Sequence, residues 1–340
     1  SLWWAFAVFL LLAIATAMGW LSARSEAQDD AEARFRAEAE RISTHISSRL
    51  AAYEQVLRGG VSVFDTWGGV TRGQWHAYVR GLRIADNYPG IQGIGFAQII
   101  PEADKDAHIA RVRAEGFASY LIRPDGDRAV YSAIVYLEPF DWRNRRAFGF
   151  DMLSEPVRRG AMEHARDTGQ AAVSGKVILM QETETDTQPG FLMYLPVYRG
   201  GGIPQTIEDR RDGLVGYVYS PFRAVDLMQA ITGGALQDLR LQVFDGDRRT
   251  AEALLFDSRG PGTEGEVEPM FTHIGDLSLP GHGWTLQLET LPSFTATVDV
   301  EKPGLILSGG ALVSILVAFI VWSLGRSRER LRDKESDFRF

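Results

Sequence analysis

Cysteine is absent from the 340-residue chain. No disulfide framework and no thiolate metal site can therefore form, so an apolar core has to stabilise any folded domain. Charged side chains are absent from two long apolar runs, residues 2–21 and 305–324. Each run has about the 20 residues that a helix needs to cross a membrane. We predict transmembrane helices at residues 1–23 and 303–324.

The flanks of these runs predict the orientation of the chain in a membrane. A cleavable signal peptide has an apolar region of only about 7 to 15 residues, which is shorter than the first run. After the second run, Lys and Arg residues mark the cytoplasmic side; they are Arg326, Arg328, Arg330, Arg332 and Lys334. The segment between the runs is therefore predicted to lie outside the cytoplasm, in the periplasm of a bacterium, with both helices in the inner membrane.

The charge balance restricts the partners of this segment. The formal net charge is -8 although the C-terminal tail is basic, so the extracytoplasmic part is acidic. We expect no nucleic acid as a partner, because phosphate binding needs a basic patch. An acidic outer face leaves two classes of function open: a small-molecule sensor, and a membrane-tethered scaffold that binds a partner protein.

No pattern of catalytic residues is evident in the sequence. The six histidines are scattered singly, and Gly90, Gly93 and Gly95 precede a strand-like run rather than the helix of a nucleotide-binding loop. Close backbone packing is the better interpretation of these glycines. We predict no catalytic site, no metal site and no cofactor. Asp151 and Arg166, charged residues in apolar surroundings, are predicted to form a structural ion pair.

Residues 24–58 are predicted to form a long stalk helix. Neither proline nor glycine occurs in residues 25–58, and apolar side chains recur every three or four positions. The pair Gly59-Gly60 is expected to end the helix. The apolar stripe fits packing against strands of the same chain and also fits pairing with a second copy in a homodimer.

The remaining segment alternates between strand-like and helix-like patterns. β-Branched and aromatic runs bounded by turn signals predict strands, at residues 91–100, 120–123, 130–137, 147–150, 171–180, 191–198, 213–219, 239–244, 253–256 and 284–289. Capping and turn signals predict helices at 72–85, 102–115, 154–168 and 222–231. The pattern predicts an α+β fold: two transmembrane helices flank the stalk helix and two PAS-like α/β lobes, a membrane-distal lobe at 59–200 and a membrane-proximal lobe at 201–300.

Several short strings, in one order along the chain, resemble the CHASE domain, the extracellular input domain of plant cytokinin receptors and of many bacterial sensors. The strings are spread over about 100 residues of the extracytoplasmic segment, from Tyr88 to Phe191. They include Tyr88–Ala97 (YPGIQGIGFA), Tyr136–Pro139 (YLEP), Gly149–Met152 (GFDM), Ala165–Gly169 (ARDTG), Ser174–Lys176 (SGK) and Pro189–Phe191 (PGF). Residues 201–300 carry no such string.

The resemblance implies a small-molecule site in the membrane-distal lobe. The aspartate that reads adenine in the cytokinin receptors falls at Glu138 or Pro139, and the pocket threonine of those receptors falls at Ser174. A glutamate keeps the carboxylate, so the implied ligand is an adenine derivative. The apolar wall of the pocket is predicted at six residues, each of which also fits an ordinary core position: Phe96, Tyr136, Phe150, Leu179, Phe191 and Tyr194.

The resemblance also implies that this chain is the sensory part of a transmembrane receptor. The charged residues 325–340 look like a cytoplasmic linker that leads into a further domain. By resemblance, that output domain is a histidine kinase or, alternatively, a diguanylate cyclase. The chain itself then has no enzymatic activity, and ligand binding acts by shifting the population between two arrangements of the sensor.

Overall fold

The computed structural model describes residues 2–183, 185–233, 236–260, 268–296, 298 and 301–337. The chain divides into two compact units. The first unit consists of Ser1–Glu38 and Pro292–Phe340, and the second consists of Ala39–Leu291. The predicted α+β class is confirmed, because two antiparallel sheets and several helices follow the first long helix.

The first unit contains the two apolar runs. Helix α1 covers Leu2–Trp67, and the C-terminal α8 and α9 cover Pro292–Ala296 and Glu301–Asp337. The apolar windows in α1 and in Lys302–Arg328 are long and hydrophobic enough to cross a membrane, and only 6% of each window is buried within the protein. The structure thus fits the predicted membrane helices by length and composition. Residues 338–340 of the predicted linker lie outside the described residues.

Helix α1 does not end at Gly59-Gly60 as predicted; it continues to Trp67. The two glycines serve close packing within the second unit. A Cβ atom at Gly60 would lie 3.0 Å from a methyl group of Val218, and one at Gly59 would lie 2.7 Å from the hydroxyl of Tyr78. The lack of a side chain therefore lets other elements approach the helix, which outweighs the weak helix propensity of glycine.

A six-stranded antiparallel sheet dominates the second unit. Its strand order is β2-β1-β6-β5-β3, and β4 also pairs with β5. The strands are β1 (Ile94–Pro101), β2 (Val130–Glu138), β3 (Ala172–Val173), β4 (Val177–Ile178), β5 (Pro189–Tyr198) and β6 (Leu214–Arg223). The helices of this unit are α2 (Arg72–Leu82), α3 (Ile84–Asn87), α4 (Lys105–Ala114), α5 (Pro156–Thr168), α6 (Ile207–Gly213) and α7 (Ala224–Thr232).

The two faces of this sheet pack against different helices. We call the side that packs against α5 the α5 face; Ala97, Leu192, Tyr194, Tyr217 and Tyr219 lie there with Met162 and Ala165 of that helix. We call the opposite side the α1 face, where α1 packs on the sheet through contacts such as the stacked rings of Tyr53 and Phe222, 5.7 Å apart. After residue 38, the apolar stripe of the stalk helix thus packs against strands of its own chain. This is one of the two predicted alternatives; the other was pairing in a homodimer.

A second sheet of four strands has the order β8-β7-β10-β9. It consists of β7 (Leu239–Asp245), β8 (Leu254–Asp257), β9 (Thr272–Leu279) and β10 (His282–Thr290). Strand β9 and helix α6 were not predicted. The predicted lobe boundary at residue 200 does not separate the two sheets, because β6 pairs with both β1 and β5 of the first sheet. The boundary between the sheets therefore falls after Arg223.

Some predicted strands in the first half are much shorter in the structure. Residues 120–123 and 147–150 contribute only a single bridge, between Arg123 and Phe150. The predicted strand at 171–180 is split into β3 and β4 around Ser174. Helix α5 begins two residues later than predicted, because the side chain of Glu155, rather than Ser154, accepts the first backbone N–H groups of the helix.

Candidate functional site

Two tyrosines on neighbouring strands form the centre of the candidate site. Tyr194 on β5 lies opposite Tyr219 on β6, and their ring centroids are 6.2 Å apart. Both side chains are fully buried on the α5 face. Burial raises the pKa of each phenol well above its ordinary value, so both remain neutral hydroxyls that can donate and accept hydrogen bonds.

Neither of these hydroxyls has a hydrogen-bond partner among the described residues. Tyr217, on the same face, differs because its hydroxyl donates to the carbonyl of Met162 at 3.0 Å. A buried hydroxyl without a partner costs about 1 to 3 kcal/mol, and most buried polar groups in proteins are paired. The unmet hydrogen-bonding capacity of Tyr194 and Tyr219 therefore marks a position suited to a polar ligand.

Helix α5 and the segments beside it enclose the two tyrosines. Phe150 and Leu179 belong to the same buried cluster. Arg158 of α5 is 4% exposed; its guanidinium donates to the carbonyl of Ile178 at 2.9 Å and lies 5.0 Å from the ring centroid of Phe150. The site thus combines apolar walls with two hydroxyls and one cation, the composition expected of a small-molecule site.

The structure divides the predicted pocket between the two faces of the sheet. Phe150, Leu179 and Tyr194 lie on the α5 face. The other three predicted wall residues lie on the α1 face. Phe96 stacks on Phe64 at 4.1 Å, the hydroxyl of Tyr136 donates to the carbonyl of Val70 at 2.7 Å, and Phe191 stacks on Phe222 at 4.9 Å. Because the sheet separates the two groups, the six residues cannot line one pocket.

The two predicted polar residues have local partners. The carboxylate of Glu138 accepts from the backbone N–H of Phe140 at 3.1 Å and lies 3.0 Å from Nδ1 of His76. The hydroxyl of Ser174 donates to the carbonyl of Gly175 and accepts from the N–H of Leu192, which joins it to β5. Both residues therefore have structural contacts that account for their positions, and their predicted ligand roles stay predictions.

A half-open aromatic cleft of about 470 Å³ is lined in part by Phe140, whose backbone N–H donates to Glu138. Its walls include the mutually packed rings of Phe117, Phe140 and Phe148. The hydroxyl of Tyr120, which also lines the cleft, is paired with Nε2 of His108 at 3.0 Å. Within the described residues, no buried side-chain atom of this lining lacks a hydrogen-bond partner. The tyrosine pair therefore carries the stronger physical signal of a ligand site.

The candidate site lies inside a segment that matches a known family. The model of the CHASE domain matches residues 68–256, which is more than half of the chain and includes the whole six-stranded sheet. The chain belongs to the CHASE domain family. CHASE domains are sensory rather than catalytic, which agrees with the predicted lack of enzymatic activity in this chain.

Two further comparisons concern histidine kinases. The CHASE chain is 22% identical over 264 residues to hybrid signal transduction histidine kinase A of Dictyostelium discoideum; the match covers 69% of this chain but only 12% of that protein. A solved extracellular domain of a candidate histidine kinase, soHK1S-Z6, is 12% identical and has a TM-score of 0.40, with 79% of this chain and 98% of that chain covered.

Sequence reasoning missed two residues of the candidate site, Tyr219 and Arg158. The alternating run Tyr217-Val218-Tyr219 signals a strand with both tyrosines on one face. The pairing of that strand with β5, which brings Tyr219 opposite Tyr194, has no signature in the sequence. Arg158 was missed because a charged residue in a helix is usually exposed.

Proposed function

We propose that this CHASE chain is the extracytoplasmic sensor of a transmembrane receptor, and that its small-molecule ligand binds between α5 and the six-stranded sheet. The observation that supports this proposal is the pair of buried, unpartnered hydroxyls at Tyr194 and Tyr219. A ligand that hydrogen-bonds to both would recover the free energy that their burial costs. An adenine derivative suits this chemistry, because its ring nitrogens and amino group present acceptors and donors on an apolar body.

The signal is proposed to reach the cytoplasm as a population shift. Ligand bound against α5 would favour one position of that helix relative to the sheet, and only such a differential contact can move an equilibrium between two states. In this proposal the receptor is a homodimer in a bacterial inner membrane. Its output domain is a histidine kinase, in preference to the diguanylate cyclase alternative, and the name of the relative from Dictyostelium supports this choice.

The test compares three tyrosine-to-phenylalanine variants of the full chain in lipid nanodiscs. Tyr194→Phe and Tyr219→Phe each remove an unpaired hydroxyl, so thermal unfolding without ligand is expected to show a stability unchanged or raised by about 1 kcal/mol. Tyr217→Phe is the matched control from the same face, and it should cost about 1 kcal/mol because it removes a satisfied hydrogen bond.

A thermal-shift screen with adenine derivatives and other small metabolites then tests sensing itself. Compounds that stabilise the parent chain should lose most of that effect in Tyr194→Phe and Tyr219→Phe and keep it in Tyr217→Phe. If the first two variants lose as much ligand-free stability as the control does, the hydroxyls are satisfied and the proposed site fails. If no small molecule stabilises the chain, the scaffold alternative, which binds a partner protein through its acidic face, is favoured.

A further inference from the structure

A second cleft, distinct from the tyrosine pair, lies beside α5 and is lined by residues of that helix and of the neighbouring strands β1 and β6. It has a volume of about 400 Å³, within the range of roughly 300 to 1,000 Å³ that is usual for small-molecule sites. Arg159, Glu163 and Arg166 of α5 line one side of it, at the spacing that places residues on one helix face. Arg128 and Arg211 line it from other segments.

The charges around this cleft do not cancel. Asp167 pairs with both Arg166, at 2.7 Å, and Arg211, at 2.5 Å. Hydrogen bonds from Arg211 and Arg166 hold the pKa of the Asp167 carboxyl well below its usual range, so it stays charged. Arg128 lies 3.6 Å from the buried carboxylate of Asp151; Arg128, rather than the predicted Arg166, is thus the counter-ion of Asp151.

Arg159 is the cation that lacks a counter-ion. Its Nε donates to the carbonyl of Leu153 at 2.7 Å, and no carboxylate among the described residues lies within ion-pair distance of it. Among the described residues, Glu163, which also lines the cleft, is beyond ion-pair distance of Arg159. Because Asp167 is shared by Arg166 and Arg211, the four arginines of the lining exceed the carboxylates of Asp151, Asp167 and Glu163 by one positive charge. One uncompensated guanidinium matches a single carboxylate, which it can bind with two parallel hydrogen bonds.

The floor of the cleft is apolar. Ile99, Leu153 and Leu214 line it, and all three are partly exposed side chains packed against the buried cluster of the α5 face. Their exposed surface in the cleft would be covered by an apolar ligand body, and burial of apolar surface contributes about 25 cal/mol per Å². The cleft thus combines an apolar floor with one free cation at its rim.

We infer that this cleft binds an organic monocarboxylate with an apolar body, whose carboxylate pairs with Arg159 and whose body lies on Ile99, Leu153 and Leu214. The chemistry separates this ligand from inorganic phosphate, which has no apolar body to cover the floor. An uncharged alcohol of the same shape is also expected to bind more weakly than the carboxylate, because it leaves the guanidinium of Arg159 without a charged partner.

Isothermal titration of the full chain in lipid nanodiscs tests the inference. The probes are phenylacetate and cyclohexanecarboxylate, their neutral counterparts 2-phenylethanol and cyclohexylmethanol, and inorganic phosphate. Both carboxylates are expected to bind at least about tenfold more tightly than the alcohols, since a charge-assisted hydrogen bond contributes about 1.5 kcal/mol or more, which is about a factor of ten in Kd. They should also bind more tightly than phosphate, which leaves the apolar floor uncovered. Because arginine stays protonated, affinity should not fall as the pH rises from neutral to about 9.

Variants assign the binding to this cleft. Arg159→Gln should raise the Kd of both carboxylates about tenfold. Arg159→Lys keeps the charge but loses the planar guanidinium, so its Kd should lie between those of Arg159→Gln and the parent chain. Arg80→Gln, which removes an exposed arginine of α2, is the matched control and should leave Kd unchanged. Tyr194→Phe should also leave it unchanged, which separates this cleft from the proposed sensor site.

Three results would overturn the inference. One is that neither carboxylate binds, and another is that alcohol or phosphate binds as tightly as the carboxylates. The third is that Arg159→Gln leaves carboxylate binding intact. If Tyr194→Phe abolishes carboxylate binding and Arg159→Gln does not, the carboxylate occupies the tyrosine site, so the inference fails while the proposed sensor site survives.

Discussion

Replacement of Arg223 by methionine is expected to lower the free energy of unfolding by about 3 to 5 kcal/mol. Arg223 ends β6 and is buried together with Glu182, which its Nε contacts at 2.9 Å. Its other two nitrogens contact Asp186 at 2.6 Å and Asp226 at 2.9 Å. Loss of the guanidinium leaves the carboxylate of Glu182 buried without a counter-ion, and an unpaired buried charge is costly.

Two controls show whether burial causes this loss. In the double variant Arg223→Met with Glu182→Leu, most of the lost stability should return, because the unpaired charge is removed as well. Arg143→Met removes a partly exposed arginine that also contacts Asp186, and it should cost less than about 1 kcal/mol. Urea unfolding of the full chain in nanodiscs measures all three. Equal losses for Arg143→Met and Arg223→Met would contradict the burial argument.

Gly95→Ala is expected to destabilise the fold by about 1 to 3 kcal/mol and to remove the ligand response proposed for the tyrosine pair. A Cβ atom at this position of β1 would lie 2.6 Å from the carbonyl oxygen of Tyr136 and 2.5 Å from a ring carbon of Tyr219. The first contact is with backbone of the neighbouring strand, which cannot rotate away. The second forces the ring of Tyr219 out of its place beside Tyr194.

The matched control is Gly160→Ala, in the middle of α5. A Cβ atom there meets no other atom within 4 Å, and alanine is the better helix former, so this variant should stabilise the chain by about 0.5 to 1 kcal/mol. Thermal unfolding with and without a stabilising compound from the screen measures both variants. If the Gly95→Ala chain keeps its stability and its ligand response, then β1 and the ring of Tyr219 can shift to accommodate the added Cβ atom without loss of free energy of unfolding, and the prediction is wrong.

The glycines show how far local patterns predict this structure. Close backbone packing was the interpretation of Gly93 and Gly95, and the short distances that an added Cβ would have at both positions confirm it. At Gly59-Gly60 a helix end was predicted instead, and that prediction was wrong, because this pair also serves close packing. A glycine pair can also occur inside a helix where neighbouring side chains pack directly against its backbone. Here the side chains of Trp75, Tyr78 and Val218 lie where a Cβ atom at Gly59 or Gly60 would be.

The predicted pocket failed for a reason that the sequence does contain. Phe191 and Tyr194 are three residues apart on β5, and side chains of a strand alternate between faces, so they must point to opposite sides. The resemblance assigned pocket roles to residues without asking which face each would occupy. The strand alternation therefore separates Phe191 from Tyr194 without any structure, whereas the faces of Phe96 and Tyr136, on β1 and β2, follow only from the strand pairing.

The sequence by itself determined the two apolar runs, the α+β class and the membership of the CHASE family, because hydrophobic length, periodicity and short strings are local properties of a chain. Only the tertiary structure decided that β6 lies between β1 and β5, that Tyr219 lies opposite Tyr194, and that Arg128 rather than Arg166 faces Asp151. Each of these is a contact between distant segments. Such contacts are selected by the packing of the whole core, and no local pattern encodes the choice.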